Sequence, residues 1–268
     1  MRFPRDRAER DPSLVTRHPS RYYERMRILA IDAGNSRIKW GVHENGSWLV
    51  QGWVNTAHSA RLTSAWAAFE LPDALIAANV AGPKVARALA AAARRFRRRI
   101  RFVKSAPRQC GVMSAYAEPA QLGPDRWAAL IAARRYHRGP CVVVNAGTTM
   151  TVDALTADGV FLGGIIVAGM DLMRSALARG TAGLRPRGGR FAFFPARTAD
   201  AIESGAINAL TGAVERMLRF MEDAGQAEAL TLVSGGAAQL VAPQLNGTVE
   251  VVDNLVLEGL LQIGVSDV

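Results

Sequence analysis

Short apolar runs that end in a polar, glycine-containing turn occur twice along the chain. The first is Ile28-Leu29-Ala30-Ile31-Asp32-Ala33-Gly34-Asn35-Ser36, and it returns as Val142-Val143-Val144-Asn145-Ala146-Gly147-Thr148-Thr149. Each reads as a buried strand running into a turn. Asn45-Gly46 follows Asp32 by 13 residues and Asp158-Gly159 follows Asn145 by the same 13, and both dipeptides are strong hairpin signals. A strand-loop-strand-hairpin-strand unit is therefore written twice, with enough chain between the copies for a folded unit. This predicts a duplicated fold whose two polar loops face each other across a cleft and can grip a polyphosphate from both sides.

The remaining periodicity is that of an α/β protein. In the first copy it predicts strands at 27–32, 37–43 and 48–54, a helix at 58–69, a strand at 74–79, a helix at 82–98 and a strand at 100–104. The second copy predicts strands at 140–146, 149–156 and 160–167, helices at 170–179 and 198–224, then a strand at 229–234, a helix at 236–241, a strand at 248–252 and a helix at 254–263. Three antiparallel strands followed by helix-strand repeats give a mixed sheet flanked by helices. Residues 26–138 and 139–268 are the expected lobes. Residues 1–25 mix Arg, Asp, Pro and Ser without periodicity, so they are expected to be a poorly ordered basic extension that activity does not need, with Met26 as the native start. Residues 183–195, rich in Gly, Arg, Pro and Phe, read as a mobile loop.

Composition narrows the class. A length of 268 residues, 49% of them hydrophobic, supplies cores for two lobes, and no apolar run approaches the roughly 20 residues of a membrane span. A soluble cytoplasmic protein is expected. Cys110 and Cys141 are too few for a disulfide framework and read as reduced structural thiols. His18, His43, His58 and His137 have no metal-ligand spacing with them, so no zinc is expected. The formal charge of +10 admits nucleic acid, a membrane surface or an anionic substrate. Much of it lies in Arg94-Arg95-Phe96-Arg97-Arg98-Arg99-Ile100-Arg101, away from the duplicated loops, where a solvated helix end is the plainer reading.

Three segments carry candidate chemistry. In the first loop Gly34 lets backbone approach a ligand, Asn35 and Ser36 add donors for phosphate oxygens, and Lys39 follows on the next strand as a point charge. Asp32, the acid of that loop, is placed to hold Mg²⁺ against phosphates, directly or through water. In the second loop Gly147, Thr148 and Thr149 repeat the small and hydroxyl donors, and Ser234-Gly235-Gly236-Ala237 opens a further backbone approach to a nucleotide, as Gly163-Gly164 can unless it serves sheet packing. The third segment runs from Tyr116 through Gly123-Pro124-Asp125-Arg126-Trp127 into an alanine-rich helix. Asp125 either stabilises that helix start or takes the proton of an attacking hydroxyl, and Arg126 has the planar fork that pairs with a carboxylate.

These motifs together resemble type III pantothenate kinases, members of the acetate and sugar kinase/Hsp70/actin superfamily, some of which were named Bvg accessory factors. The resemblance runs from about Met26 to the C-terminus. It matches an Asp-x-Gly-Asn-Thr/Ser loop with a following Lys to Asp32, Gly34, Asn35, Ser36 and Lys39, and a Gly-x-Asp-Arg motif to Gly123, Pro124, Asp125 and Arg126. It implies two duplicated ribonuclease H-like/actin-like lobes with a cleft between them. ATP would be held by those first-loop residues with Gly147 and Thr148. Asp125 would be the proton acceptor, and Tyr116, Gly123 to Arg126 and Thr181 would contact pantothenate, Thr181 from the neighbouring subunit of a homodimer. The implied reaction is transfer of the ATP γ-phosphoryl group to the 4′-hydroxyl of pantothenate, opening coenzyme A synthesis.

One departure stands out. Asn145 occupies the position where many members carry an Asp that helps bind potassium or ammonium, so a weakened or displaced monovalent-cation site is expected. Two alternatives accompany this reading: a kinase for another small alcohol, and a noncatalytic regulator or nucleic-acid-binding accessory factor on the same fold. The intact set of Asp32, Lys39 and Asp125 favours catalysis over nucleic-acid binding.

Overall fold

The computed structural model describes residues 26–184 and 188–266. The basic extension and three residues of the expected mobile loop lie outside the described residues. Strands β1 (Ile28–Ala33), β2 (Arg37–Glu44), β3 (Ser47–Asn55), β4 (Ala74–Asn79) and β5 (Ile100–Phe102) form a five-stranded sheet ordered β3-β2-β1-β4-β5. Strands β8 (Cys141–Ala146), β9 (Thr149–Leu155), β10 (Val160–Ala168), β11 (Leu230–Ser234) and β12 (Val249–Val251) repeat that order as β10-β9-β8-β11-β12. Directions repeat as well, because β2 is antiparallel to β1 and β4 parallel to it, just as β9 and β11 are to β8. The duplication seen in the sequence is thus a duplication of topology. At the first hairpin Asn45 and Gly46 both take positive φ, 52° and 78°, as the twist of a two-residue turn requires.

Two short strands that periodicity could not register extend the second sheet. β6 (Arg108–Gln109) and β7 (Val112–Ser114) turn at Cys110-Gly111, both at positive φ, and β7 joins the edge of β10. The expected helix at 58–69 is also not continuous. It splits into a 3₁₀ segment, Thr56–Arg61, with His58 off helical geometry, and the single turn α1 (Leu62–Ala65). Trp66 then enters the core, and the Arg95 guanidinium takes the Trp66 and Phe69 carbonyls that a longer helix would have used internally.

The other helices are α2 (Pro83–Ala93), α3 (Pro124–Tyr136), α4 (Met170–Gly180), α5 (Thr198–Asp223), α6 (Ala238–Val241) and α7 (Leu255–Ser266). Helix α2 covers the outer face of the first sheet over Leu29, Ile31 and Ala77, and α5 covers the outer face of the second over Val142, Val144 and Val152. Helices α3 and α7 fill the layer between the two sheets, where Ile28, Ala30 and Ile76 of one meet Val143, Phe161 and Leu232 of the other through Trp127, Leu130, Leu257 and Leu260. A helix covered on both sides needs apolar residues around most of its circumference, and residues 126–133 of α3 are all buried. No helix among the described residues is long and apolar enough to cross a membrane.

Helices α3 and α7 meet backbone to backbone. A methyl group at Gly259 would overlap the Ala128 carbonyl, whereas one at Gly264 would reach Ile28 at an ordinary 3.6 Å. Gly259→Ala is therefore expected to lower unfolding free energy by about 1–3 kcal/mol through overpacking. Gly264→Ala should be neutral or slightly stabilising, since alanine favours a helix. Equilibrium denaturation of both variants checks this, and equal midpoints would refute the packing argument.

Candidate active site

The two polar loops touch. Ser36 Oγ lies 2.6 Å from Thr148 Oγ1, a hydrogen bond between residues 112 apart in the chain and on different sheets. Both loops are tight, because Gly34 N donates to the Arg37 carbonyl at 3.0 Å and Gly147 N to that of Thr149 at 3.0 Å. The Thr56 hydroxyl, reaching the Gly34 carbonyl at 2.7 Å, and the Gly169 amide, reaching that of Thr148 at 3.0 Å, fasten each loop from behind. Asn35, Ser36, Gly147, Thr148 and Thr149 are all exposed, so this corner is open to solvent, with the Ser36 and Thr148 hydroxyls bonded to each other.

Behind the first loop, the β1-β2 register sets Asp32 opposite Lys39. Residues directly opposite in a ladder share a face, here the face that carries Ala30 and Ile28 toward the other sheet. Burial pushes the Asp32 carboxyl up to about 7, the negative charge of Asp125 adds to the rise, and Lys39 offsets part of it. Asp125 occupies the first turn of α3 behind Pro124. Burial raises its carboxyl too, against the backbone amide of Arg126, which donates to Asp125 Oδ1 at 2.9 Å. Two mutually repelling, partly desolvated carboxylates fit a hard divalent cation that brings phosphate and water oxygens to complete its shell.

The next residue leads to a carboxylate that the sequence reading did not single out. Arg126, only 6% exposed, donates Nη2 to Asp153 Oδ1 at 2.5 Å and Nε to both carboxyl oxygens at 3.2 Å. Asp153 lies on β9 and is 1% exposed, with its carboxyl pushed up to about 6 by burial against the opposing pull of Arg126. Gly164 on β10 makes room, because a side chain there would run into Asp153 Oδ1 and sit 2.7 Å from Arg126 Nη2. Of the glycine pair 163–164, Gly164 thus serves this ion pair. Arg126 Nη1 points to the Tyr116 hydroxyl at 3.5 Å, and the Tyr116 ring packs on Phe161 at 5.1 Å. An acid within the apolar run Met150-Thr151-Val152-Asp153-Ala154-Leu155 was the available signal, since a buried charge needs a partner.

On the far side of β8, the turn after β11 abuts the second loop. Gly235, at φ 101°, leaves no room for a side chain beside Ala146, and Ala237 N donates to the Ala146 carbonyl at 3.0 Å. Asn145, one residue before the end of β8, is half-buried and in register with Thr151 and Ser234 on its neighbours. Thr181 is exposed just beyond α4, its hydroxyl donating to the Leu177 carbonyl at 2.8 Å, and no described hydrogen bond joins it to Tyr116, Asp125 or Arg126. Cys141 is buried, which pushes its thiol up to about 12 and leaves it unreactive.

Comparison with known proteins shows the family. The family model described as type III pantothenate kinase matches residues 28–219. A type III pantothenate kinase of Aromatoleum aromaticum is 48% identical over 240 residues, covering 90% of this chain and 98% of its own. Another from Nitrosospira multiformis is 44% identical over 236 residues, covering 88% and 90%. Among solved structures, a protein described as a Baf family transcriptional activator from Campylobacter jejuni superposes with a TM-score of 0.58 at 18% identity, over 88% of this chain and 96% of its own. The ethanolamine utilization protein EutJ of Carboxydothermus hydrogenoformans superposes with a TM-score of 0.50 at 13% identity, over 88% of each chain. At such identities these two report the fold alone.

The electrostatics of Asp32 generate a pH dependence. Folded Asp32 keeps its proton up to about pH 7, whereas an unfolded aspartate releases its own near 3.8. Between those values the folded state binds more protons, so stability falls as pH rises. Asp32→Asn is expected to match wild type near pH 4 and to melt higher than wild type at pH 8 in the absence of ligands. Thermal midpoints across that range check it, and parallel curves would refute it.

Proposed function

The chain belongs to the type III pantothenate kinase family, an enzyme that phosphorylates pantothenate with ATP in coenzyme A biosynthesis, and we propose that Asp125 is the group that takes the acceptor hydroxyl's proton. The observation that carries this assignment is the place of Asp125 in the first turn of α3, next to Arg126, which pairs with Asp153 of the second sheet, whose loop meets the first loop at Ser36 and Thr148. A carboxylate facing the metal-binding side of the loops is where the attacking oxygen has to be. Its burial raises its proton affinity above that of a solvated aspartate, which improves it as a base.

In this proposal the Ser36–Thr148 hydrogen bond opens to admit the triphosphate, and both hydroxyls turn to phosphate oxygens with Gly34, Asn35 and Gly147 lining the grip. Lys39 adds positive charge from the second strand. Asp32 would hold Mg²⁺, which when bound would neutralise charge on the transferring phosphoryl group. Gly123 and Pro124 set the start of α3 so that Asp125 meets the 4′-hydroxyl. Arg126 offers Nη1, beside Tyr116, to the pantothenate carboxylate, while Asp153 holds the rest of the guanidinium still. Asn145 contributes one neutral oxygen to a monovalent cation, and without a carboxylate there that ion is bound weakly.

The lobes, residues 26–138 and 139–268, close over the nucleotide in this reading, although the β6-β7 hairpin already belongs to the second sheet by its hydrogen bonds. A chain with only two cysteines, Cys110 and Cys141, suits a reducing cytoplasm. A homodimer is supported by exposed apolar residues on α4 and in the segment after Thr181, Leu172, Leu177, Phe193 and Phe194, with Ile166 on β10, Phe194 being 96% exposed. A second copy covering that face brings its Thr181 to the pantothenate site.

Two measurements test these assignments. Asp125→Asn is expected to lower turnover on the order of 100-fold or more, as loss of a general base does, in an assay of ADP formation with and without pantothenate. A near-normal rate would remove Asp125 from the role. Ile166→Asp is expected to convert a dimer to monomers in sedimentation and to depress activity with it, and an unchanged mass would refute the interface.

A further inference from the structure

Trp53 on β3 is 55% exposed, which is unusual for so large an apolar side chain beside a ligand cleft. The register places it opposite Lys39, which is itself opposite Asp32, so the three side chains form one row on the face of the first sheet that looks toward the second. The row ends beside the first phosphate loop. Arg37, directly after Ser36 and on the same face as Lys39, lays its guanidinium 4.3 Å from the Trp53 ring centroid. That stack holds the indole in place and leaves its other side open.

Contacts between the halves locate what lies across from it. Two residues before Trp53 on the same face, Gln51 accepts a hydrogen bond from Asn254 Nδ2 at 2.6 Å, and Trp48 Nε1 donates to Glu258 Oε1 at 2.6 Å, so β3 rests on the N-terminal turn of α7. Leu255 N in turn points to Ser234 Oγ at 3.5 Å, which brings the Ser234-Gly235-Gly236 turn to that same end of α7. Trp53 lies one step past Gln51 on the same face, so its row continues from the α7 contact toward the first loop. The acceptor cluster of Tyr116, Arg126 and Asp153 lies on the β9-β10 side of β8, whereas this turn lies on the β11 side.

We propose that Trp53, braced by Arg37, is the stacking platform for the base of the nucleotide, with the base lying between the indole and the Gly235-Gly236 backbone. The inference rests on the reading of the paired loops as the triphosphate grip. An indole stacks on any purine through its π face, and the guanidinium on its opposite side adds positive field next to the phosphates.

The test compares wild type with Trp53→Ala and Trp53→Phe. Binding of ADP and of inorganic tripolyphosphate is measured by calorimetry, and KM for ATP and for pantothenate from ADP formation. Trp53→Ala is expected to weaken ADP and raise KM for ATP by about tenfold, within the range of base-aromatic stacking, with tripolyphosphate affinity and KM for pantothenate unchanged. Trp53→Phe should stay within about threefold of wild type. Equal weakening of ADP and tripolyphosphate, a rise in both KM values, or unchanged ADP affinity would overturn the proposal. If Trp53→Ala does not fold, Trp53→Leu is read by the same criteria. Failure of wild type to form ADP with pantothenate would count against the kinase reading, while the binding arms would still decide the role of Trp53.

Discussion

Because a methyl group at Gly259 would overlap the Ala128 carbonyl, the two helices between the sheets meet at backbone distance, and that approach sets the separation of the halves. Helix α3 lies against β8 and β9 of the second sheet, and α7 against β1 and β4 of the first, so each closing helix packs on the sheet of the other copy. The arrangement turns the two strand-to-loop corners toward each other. With bulkier residues at this contact the sheets would stand farther apart, and Ser36 and Thr148 could not be within hydrogen-bond distance. The site's reach is therefore fixed by a contact that takes no part in chemistry.

The same packing concentrates charge. Asp32, Asp125 and Asp153 converge from three different elements, and all three are held above the usual carboxylate range mainly by burial. Arg126 compensates Asp153 directly through a bidentate pair, and Lys39 compensates Asp32 in part. Asp125 is tied to the backbone amide of Arg126, whose charge also offsets part of its rise. Buried carboxylates gathered in this way cost stability, a common pattern at catalytic centres. The protein's net charge of +10 is carried elsewhere, largely by arginines such as those of the run at 94–101, where Arg95 and Arg101 already serve backbone carbonyls.

Duplication gives the cleft two sides that are related in topology and different in content. On the β9-β10 side, the start of α3 meets Asp153 and Tyr116. On the β11 side, the start of α7 meets Gln51 and Ser234. The hairpin Arg108–Ser114 breaks the symmetry, because β7 pairs with β10 and has no counterpart on β3. That addition runs on into the loop bearing Tyr116, so the β9-β10 side carries structure that the β11 side lacks. The open β3 edge leaves Trp53 accessible.

The sequence by itself determined the duplication, the strands of both copies, the loops at Gly34 and Gly147 and the helix beginning at Pro124. These follow from local periodicity and turn chemistry, which operate over a few residues. It also marked Asp32, Lys39 and Asp125, whose polar side chains interrupt or adjoin buried runs. The tertiary structure alone decided which of these meet. The Ser36–Thr148 contact spans 112 residues, the Arg126–Asp153 pair joins a helix to a strand of the other copy, and Trp53 gains meaning only from its row with Lys39 and Asp32. Such pairings depend on sheet register and on how closely two helices pack, and neither quantity is encoded in any single window of the chain. The β6-β7 hairpin escaped notice for the same reason, since strands of two and three residues have no period of their own and exist because β10 offers them an edge.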